Sequence, residues 1–411
     1  MLYLKAFSPD KKEILLSLTG SKSEANRLLV LQALWPGISL SNLAECDDTT
    51  VMIQALKKAQ GNIDVGHAGT AMRFLTAYFA ALSGCSVVLT GSQRMKQRPI
   101  GILVDALRAL GAKINYLDQE GYPPLVIEGT HLNGGQITMS GAVSSQYLTA
   151  LMLVATKFNQ GLTINIQGGL TSLPYLTMTA SMIQELGAKA RVTEESITVQ
   201  GPILKQEMHW NVESDWSGAS YWFSMVALNE NWQVGLEYLN EKSLQGDRAI
   251  ADLFETLGVS SEFDHKQQQV WLRTNNKPIP ESISWDLSYT PDLAQTIAVC
   301  CFGLGISCHL SGLHTLKIKE TDRLQALAVE LTKLGATVEI SEHSLSLAAR
   351  SGPIKPDVTV ETYNDHRMAM AFAPLVSQVP LIIAHPEVVS KSYPNFWKDM
   401  AKAGVVFSQG N

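Results

Sequence analysis

The stretch ALRALGAKI at residues 106–114 decides the fold, because the chain repeats its pattern. Apolar residues recur in it at helical spacing, then a glycine follows that suits a left-handed helix end, and then a strand-like stretch begins. The same pattern occurs at six glycines, spaced by 50 to 77 residues: Gly61, Gly111, Gly187, Gly258, Gly335 and Gly404. Six repeats of one pattern predict six copies of one small α/β unit.

A second series of helices, apolar on almost every face, alternates with the first. Its members are predicted to begin near Ser23, Gly69, Ser145, Gly218, Asp292 and His366. Helices that are apolar all round are expected in the interior of a protein. Any α/β protein shows helices at some spacing, but two series that keep the same order favour a true repeat. Six units suggest two domains of three, with a boundary near residues 212–213.

Bulk properties exclude several classes of protein. The 411 residues carry 45% hydrophobic side chains and a net charge of −6, which argues against a general nucleic-acid or membrane-surface binder. Five cysteines without metal-ligand spacing favour reduced thiols in a cytoplasmic protein with no metal site. The N-terminal stretch lacks the order of a signal peptide. The uncharged stretch 293–313 contains interior polar residues and glycines, so we expect a buried helix and a strand rather than a membrane span.

The polar and charged side chains that could bind a ligand or take part in catalysis lie where the apolar helices begin. They are Lys22, Ser23 and Arg27, then Ser144, Ser145 and Gln146, then Asp292, and finally Asp365, His366 and Arg367. A helix N-terminus offers free backbone N–H groups and partial positive charge, so basic and hydroxyl groups placed there predict a phosphate or carboxylate site. If the helices share an orientation within each domain, their N-termini would point toward one interdomain cleft.

Each cluster has a plainer interpretation when it is taken alone. Ser144 and its neighbours could be only a helix cap, RMKQRPIG at 94–101 a solvated turn, and KIKETDRL at 317–324 an exposed helical face. GHAGTAMR at 66–73 has glycines like a phosphate loop but matches neither the Walker A nor the dinucleotide pattern. NDHRMAM at 364–370 is harder to explain as surface, because its charged residues adjoin an apolar helix and need partners. Together, clusters at corresponding places favour a functional site.

The motifs resemble the 5-enolpyruvylshikimate-3-phosphate synthase family along nearly the whole chain. They occur in this order: GSKSEANR, GHAGTAMR, RMKQRPIG, SSQYLTALM, PDLAQTIAV, KIKETDRL, NDHRMAM and SKSYPNFW. KETDR with NDHRMAM is the most specific part. The resemblance implies an α/β, two-domain enolpyruvyl transferase fold, an inverse α/β barrel of six βαβαββ-type units, three per domain. Residues 1–20 and 213–411 would form one discontinuous domain and residues 21–212 the other, with the active site in the interdomain cleft.

The resemblance also implies the reaction and its residues. The enolpyruvyl group of phosphoenolpyruvate would pass to the 5-hydroxyl of shikimate 3-phosphate with release of phosphate, in a monomer that needs no cofactor. Shikimate 3-phosphate would contact Lys22, Ser23, Arg27, Ser144, Ser145, Gln146, Ser172, Tyr175, Asp292 and Lys319. Phosphoenolpyruvate would contact Lys22, Gly69, Arg98, Gln146, Arg323, Arg367 and Lys391. Our hypothesis is that Asp292 takes the hydroxyl proton and that Lys22 and Glu320 handle protons at the enolpyruvyl group.

The sequence departs from the family pattern at His67, Phe74, Thr315 and Lys317, which leaves the shape of the phosphoenolpyruvate pocket and sensitivity to glyphosate-type analogues open. Two other functions are compatible with the same fold class. UDP-N-acetylglucosamine enolpyruvyl transferases typically carry a reactive cysteine or aspartate in the loop that reads GSQRMKQRPIG here, at 91–101, and this loop has neither. A non-catalytic anion-binding repeat protein would have no need to retain Lys22, Asp292, Glu320 and Arg367 together.

Overall fold

In the computed structural model, the chain divides into two compact units. Unit 1 comprises Met1–Thr19 and Glu213–Asn411, and unit 2 comprises Gly20–Val212. The structure describes residues 1–7, 13–141, 144–170, 173–201, 203, 207–230, 232–275 and 277–409.

Helices and strands alternate along the chain, as expected for the α/β class. The α-helices are α1 (Lys22–Leu34), α2 (Asp47–Leu56), α3 (Gly69–Ala81), α4 (Gln93–Lys96), α5 (Gly101–Ala109), α6 (Ser145–Ala155), α7 (Leu173–Glu185), α8 (Trp216–Ala227), α9 (Ile250–Glu255), α10 (Ala294–Leu304), α11 (Arg323–Lys333), α12 (His366–Phe372) and α13 (Phe396–Lys402). Short 3-10 helices span Gly246–Ala249, Pro291–Leu293, His314–Ile318, Ala373–Ser377 and Pro386–Lys391.

The strands are short and fall between these helices. They are β1 (Leu2–Phe7), β2 (Glu13–Ser17), β3 (Ile38–Ser41), β4 (Gln60–Asp64), β5 (Ser86–Thr90), β6 (Lys113–Tyr116), β7 (Leu125–Glu128), β8 (Gly135–Ser140), β9 (Leu162–Gln167), β10 (Lys189–Val192), β11 (Ser196–Gln200), β12 (Met208–Asn211), β13 (Gln233–Glu237), β14 (Val259–Asp264), β15 (Gln269–Thr274), β16 (Ser282–Asp286), β17 (Ser307–Ser311), β18 (Val338–Ile340), β19 (Leu345–Leu347), β20 (Val358–Val360), β21 (Leu381–Ile383) and β22 (Val405–Gln409).

Five four-stranded sheets share one topology. In unit 1 their strand orders are β20-β21-β1-β22, β2-β13-β15-β14 and β16-β17-β19-β18, and in unit 2 they are β4-β5-β7-β6 and β8-β9-β11-β10. Each begins with a parallel pair and continues with two antiparallel neighbours. Among the described residues, the remaining sheet of unit 2 is only the parallel pair β3–β12. Within the described ranges, one of the six units therefore shows no counterpart of the hairpin that the predicted repeat contains.

The glycines of the repeat end helices by the predicted mechanism, with one exception. All six have φ between +86° and +105°. At the end of α5, the Gly111 N–H donates to the Arg108 carbonyl at 2.9 Å, and the Ala112 N–H donates to the Leu107 carbonyl at 3.0 Å. These bonds satisfy carbonyls that would otherwise lack a partner. The prediction was wrong at Gly61, because α2 ends at Leu56 and this glycine lies inside β4.

The apolar helices are buried, as predicted from their composition. Every residue of α12 and every residue of α6 except Gln146 is buried. In unit 2, α1, α3 and α6 contact one another, and in unit 1, α10 contacts both α8 and α12. The stretch 293–313 forms α10 followed by β17, which confirms the expected helix and strand. No helix in the described ranges combines the length and apolar character that crossing a membrane requires.

Candidate functional site

Three helix N-termini of unit 1 meet at one arginine. Arg367, in the first turn of α12, donates from Nη2 to the Ser217 hydroxyl at 3.3 Å and to Asp292 Oδ2 at 3.0 Å. Its Nη1 donates to the Asp292 carbonyl at 3.3 Å. Ser217 lies in the first turn of α8, and Asp292 lies in the 3-10 turn that leads into α10. The arginine therefore links elements that are 75 and 150 residues apart in the chain.

A second arginine, Arg323, lies at the centre of the unit 1 cluster, which we define as Asp292, Glu320, Arg323, Asp365 and Arg367. Arg323 donates from Nε to Asp365 at 2.6 Å, from Nη1 to Asp292 at 2.8 Å and from Nη2 to Glu320 at 2.8 Å. Its side chain is only 2% exposed. Burial alone would lower the pKa of Arg323, but the three carboxylates raise it above its usual value. The guanidinium is therefore a permanent cation whose donors already point at protein carboxylates.

Two lysines of unit 1 keep more exposure. Lys319 Nζ lies 3.6 Å from Asp292 Oδ1, and its side chain is 26% exposed. Lys391 Nζ donates to the Asn364 carbonyl at 2.5 Å. Both ammonium groups lie beside the unit 1 cluster or the loop before α12. Both side chains keep enough exposure to meet an incoming anion.

The loop before α12 has an unusual backbone. Tyr363 and Asn364 have φ of +52° and +55°, in the left-handed region that non-glycine residues rarely adopt. The Tyr363 hydroxyl donates to Glu330 Oε1 at 2.6 Å, and the side chain of Glu330 is fully buried. Asp365 follows and caps α12 by accepting the Arg367 N–H at 2.9 Å. The strained pair therefore directs Asp365 toward the arginines.

Asp247 is a further acid beside the unit 1 cluster. It lies in the 3-10 turn Gly246–Ala249, it is 5% exposed, and it accepts the Ser217 hydroxyl. Burial raises the pKa of Asp247 to about 6, and repulsion from Asp292 acts in the same direction. It therefore changes charge near neutral pH.

In unit 2, Arg27 of α1 is a buried cation held by neutral acceptors. It donates from Nε to the Thr179 hydroxyl at 2.9 Å, from Nη1 to the Ser23 carbonyl at 2.6 Å and from Nη2 to the Tyr175 carbonyl at 3.4 Å. Its Cζ also lies 5.6 Å from the ring centroid of Phe74. Burial lowers the pKa of Arg27 to about 10. No carboxylate of the described chain lies within 4.0 Å of it, so an anionic ligand would not have to displace a direct ion pair, although Glu24 acts on Arg27 at longer range.

The N-termini of α3 and α6 also meet within unit 2. Gln146 Nε2, in the first turn of α6, donates to the Thr70 hydroxyl of α3 at 3.2 Å. The Arg98 guanidinium lies against Gly69 so closely that a Cβ there would be 2.5 Å from Nη1. A Cβ at this position would force the Arg98 guanidinium to shift, so glycine lets Arg98 lie against the start of α3.

The loop that carries Arg98 is fixed to both helices. The carbonyl of the next residue, Pro99, accepts from Arg73 Nη2 at 3.3 Å and from the Tyr147 hydroxyl at 2.5 Å. Arg73 belongs to α3 and Tyr147 to α6. These two contacts therefore hold Arg98 at the N-termini of these helices.

Other predicted residues of unit 2 lie at helix starts. Lys22 Nζ is 3.7 Å from Asp48 in the first turn of α2. The Ser144 hydroxyl caps α6 by accepting the Gln146 N–H at 3.4 Å, and Ser145 begins that helix. Ser172 lies outside the described residues.

Three of the four positions where the sequence departs from the family pattern have defined partners, whereas the Thr315 hydroxyl is buried without a hydrogen-bond partner in the described chain. The His67 Nδ1 lies 3.0 Å from the Ser92 hydroxyl. Phe74 is 1% exposed and packs against Arg27. Lys317 pairs with Glu342 at 2.6 Å on the surface.

The two units differ in electrostatics. The N-caps of α8 and α12 in unit 1 are Asp215 and Asp365, whereas those of α1 and α6 in unit 2 are Ser21 and Ser144. A carboxylate cap offsets the positive end of a helix, and a hydroxyl cap leaves it available. These two helix starts in unit 2 therefore keep more of their positive charge than the two in unit 1. The described residues contain no group of three or more His, Cys, Asp or Glu side chains that could hold a metal ion.

Sequence reasoning missed several members of these clusters. Ser217 precedes the predicted helix start at Gly218 by one residue, just as Ser144 precedes Ser145, so this parallel could have identified it. Asp48 and Asp247 carry no such signal, because each is an acidic residue in a segment that resembles ordinary surface. Only the fold brings them beside Lys22 and Ser217.

Known proteins resemble this chain over almost its whole length. A family model described as EPSP synthase (3-phosphoshikimate 1-carboxyvinyltransferase) matches residues 58–400. A relative from Bacteroides fragilis (strain YCH46), named 3-phosphoshikimate 1-carboxyvinyltransferase, is 43% identical over 407 residues, which cover 98% of each chain.

Two solved structures share the fold. EPSP synthase from Acinetobacter baumannii matches with a TM-score of 0.78 at 19% identity, and the match covers 100% of this chain and 99% of that one. The enolpyruvyl transferase NikO from Streptomyces tendae matches with a TM-score of 0.71 at 14% identity, over 99% and 98% of the two chains. These similarities confirm the predicted fold class.

Proposed function

The chain belongs to the EPSP synthase family, and from that membership we propose how its residues carry out the family's reaction. It transfers the enolpyruvyl group of phosphoenolpyruvate to the 5-hydroxyl of shikimate 3-phosphate and releases phosphate. The observation that carries this conclusion is the 43% identity to a 3-phosphoshikimate 1-carboxyvinyltransferase over 98% of both chains.

Unit 2 is proposed to hold anionic groups of the substrates. Both substrates carry a phosphate and a carboxylate, and their mutual repulsion must be offset by cations and N–H donors. Arg27 supports this role, because it is buried among neutral acceptors without a carboxylate within 4.0 Å in the described chain. Arg98 supports it as well, because it lies at the N-terminus of α3. Arginine suits such a role because its planar fork binds oxyanions through two parallel hydrogen bonds.

Asp292 is proposed to be the base that takes the hydroxyl proton. Arg323, Arg367 and Lys319 surround its carboxylate, and cations at 2.8 to 3.6 Å favour the ionised form that a base needs. Its side chain is 12% exposed, which leaves an edge accessible. Contact of Arg323 with phosphoenolpyruvate stays a prediction, because its donors point at three carboxylates of the protein.

The proposed reaction has two steps. In the first, the 5-oxygen bonds to C2 of phosphoenolpyruvate, its proton passes to Asp292, and C3 gains a proton. In the second, C3 loses a proton, the C2–O bond to phosphate breaks and the double bond re-forms, while the proton held by Asp292 leaves with phosphate. We assign proton transfer at C3 to Lys22 and Glu320. The contact of Glu320 with Arg323 keeps this carboxylate ionised, which suits removal of a proton more than donation.

One coupled assay tests the function. Phosphate release from phosphoenolpyruvate is measured with shikimate 3-phosphate, with UDP-N-acetylglucosamine and with no acceptor. We expect release only with shikimate 3-phosphate. Release with the sugar nucleotide would identify the sister activity, and no release with any acceptor would identify a non-catalytic anion-binding protein.

Two conservative variants test the roles. Asp292→Asn and Glu320→Gln are expected to lower kcat by about a hundredfold or more while substrate binding is retained, because general acid–base groups contribute about 10²–10⁴-fold. Binding is measured by titration calorimetry. Near-normal turnover in either variant would remove that residue from the mechanism.

A further inference from the structure

Asp247 is a buried carboxylate whose ionised form the fold does little to stabilise. It is 5% exposed, and among the described residues no cation lies within 4.0 Å of its carboxylate. Burying an unpaired carboxylate is costly, so a purely structural role would be served better by a neutral residue. Capping does not explain it either, because Asp215 already caps α8 through the N–H groups of Ser217 and Gly218.

The Ser217 hydroxyl connects Asp247 to Arg367. A hydroxyl has one proton, and this one donates it to Asp247. Its lone pairs are then directed to Arg367 Nη2, which lies at 3.3 Å. The same Nη2 donates to Asp292 Oδ2 at 3.0 Å. Without the carboxylate, the hydroxyl could rotate and turn its proton toward the guanidinium.

We propose that Asp247 is a positioning residue for the reaction, which acts through the Ser217 hydroxyl to hold the Arg367 guanidinium against Asp292. This inference rests on the proposed function. Arg367 then meets phosphoenolpyruvate in one orientation, and the Asp292 carboxylate, bonded through Oδ2 to Arg367 and through Oδ1 to Arg323, is held in one orientation toward the 5-hydroxyl.

Charge adds to this geometric effect. The charged groups that act on Asp247 are Asp292, Asp215 and Arg367, and Ser217 is its hydrogen-bond donor. Because repulsion between two carboxylates is mutual, an ionised Asp247 also favours transfer of the hydroxyl proton to Asp292. Burial raises the pKa of Asp247 to about 6, so this assistance is present at neutral pH and is lost in mild acid.

The test compares Asp247→Asn and Ser217→Ala with the control Ser220→Ala. Ser220 is buried on the same helix, and its hydroxyl contacts the Ser217 carbonyl and Thr296 rather than the arginine. We expect Ser217→Ala to raise KM for phosphoenolpyruvate about tenfold, because one hydrogen bond to a charged group is lost. Ser217→Thr restores the hydroxyl and should return KM toward the wild-type value, while Ser220→Ala stays within about twofold.

Asp247→Asn separates positioning from structural support. Asparagine keeps the shape but loses the charge, and its amide can donate to the Ser217 hydroxyl as well as accept from it, so the hydroxyl proton is no longer fixed. We expect kcat/KM for phosphoenolpyruvate at pH 8 to fall about tenfold and the acid limb near pH 6 to disappear from its pH profile.

The thermal stability of Asp247→Asn should rise at pH 8, although its kcat/KM falls. The folded pKa of Asp247 is raised, so the wild type loses stability as pH rises through about 6, and the amide avoids that loss. At pH 8 the variant should therefore melt a few degrees higher than the wild type, and near pH 4 the two should melt together.

An Asp247→Asn variant that retains wild-type kcat/KM and the acid limb would overturn the inference, as would loss of activity in parallel with lower melting temperature at pH 8. A Ser217→Ala variant no different from the control would overturn it too. If the wild type itself releases no phosphate with shikimate 3-phosphate, the proposed function fails instead, and the two failures are thereby distinguished.

Discussion

Replacing Arg323 with methionine tests the central electrostatic claim of unit 1. The change leaves Asp365, Asp292 and Glu320 without the guanidinium that they share. The side chain of Asp365 is fully buried and cannot reach water, whereas the other two keep 12% and 22% of their surface exposed. Removing one partner of a buried ion pair costs about 3–5 kcal/mol. With a urea m-value of about 3 kcal/mol/M, that loss lowers the unfolding midpoint by about 1 M or more.

Urea denaturation of wild type and variant measures this shift. Arg273→Met is the matched control, since Arg273 and its partner Glu262 are 38% and 56% exposed, and exposed pairs contribute about 0–1 kcal/mol. Adding Asp365→Asn to Arg323→Met removes the orphaned charge and should recover about 1–2 kcal/mol. A midpoint shift no larger than that of the control, or purely additive losses in the double variant, would refute the reasoning.

Three more outcomes follow from single contacts. Arg27→Met should raise KM for shikimate 3-phosphate at least a hundredfold in steady-state kinetics. The melting temperature should not fall, because Arg27 is buried without a carboxylate within ion-pair distance among the described residues. A parallel loss of stability would contradict this. Gly69→Ala should raise KM for phosphoenolpyruvate and leave KM for shikimate 3-phosphate within about threefold, since a Cβ would displace Arg98; equal changes in both would argue against a local effect. Tyr363→Phe should cost roughly 1–2 kcal/mol in urea denaturation at pH 7, because a hydrogen bond to the buried Glu330 carboxylate is lost, and a neutral result would mean that the strained loop needs no such tether.

Most of the helices and strands could be predicted from local sequence patterns. Positive-φ glycines and all-apolar helices leave periodic signals, and five of the six glycines follow a helix as predicted. The strand-like stretch KINYL likewise became β6, and QVWLRT became β15. The error at Gly61 has a clear reason, because a glycine with positive φ can also lie within a strand. The parallel pair β3–β12 could not be foreseen, since these two strands are 170 residues apart in the chain.

The candidate site was readable only in part. Charged residues in short motifs identified Asp292, Arg323 and Arg367, because such groups next to apolar helices require partners. The sequence did not predict which of these residues pair with one another. It also did not predict that three carboxylates surround Arg323. Asp247 reaches the cluster through tertiary folding alone, from a segment without any distinguishing pattern.

The sheet order β20-β21-β1-β22 has a consequence for biosynthesis. Leu2–Phe7 leaves the ribosome long before its partners, which are Leu381–Ile383 and Val405–Gln409. At about 5–20 residues per second, this apolar strand waits roughly 20–80 s before either neighbour exists. Unit 2 can complete its fold during that interval, whereas the first strand stays an unsatisfied edge that nascent-chain chaperones would need to shield.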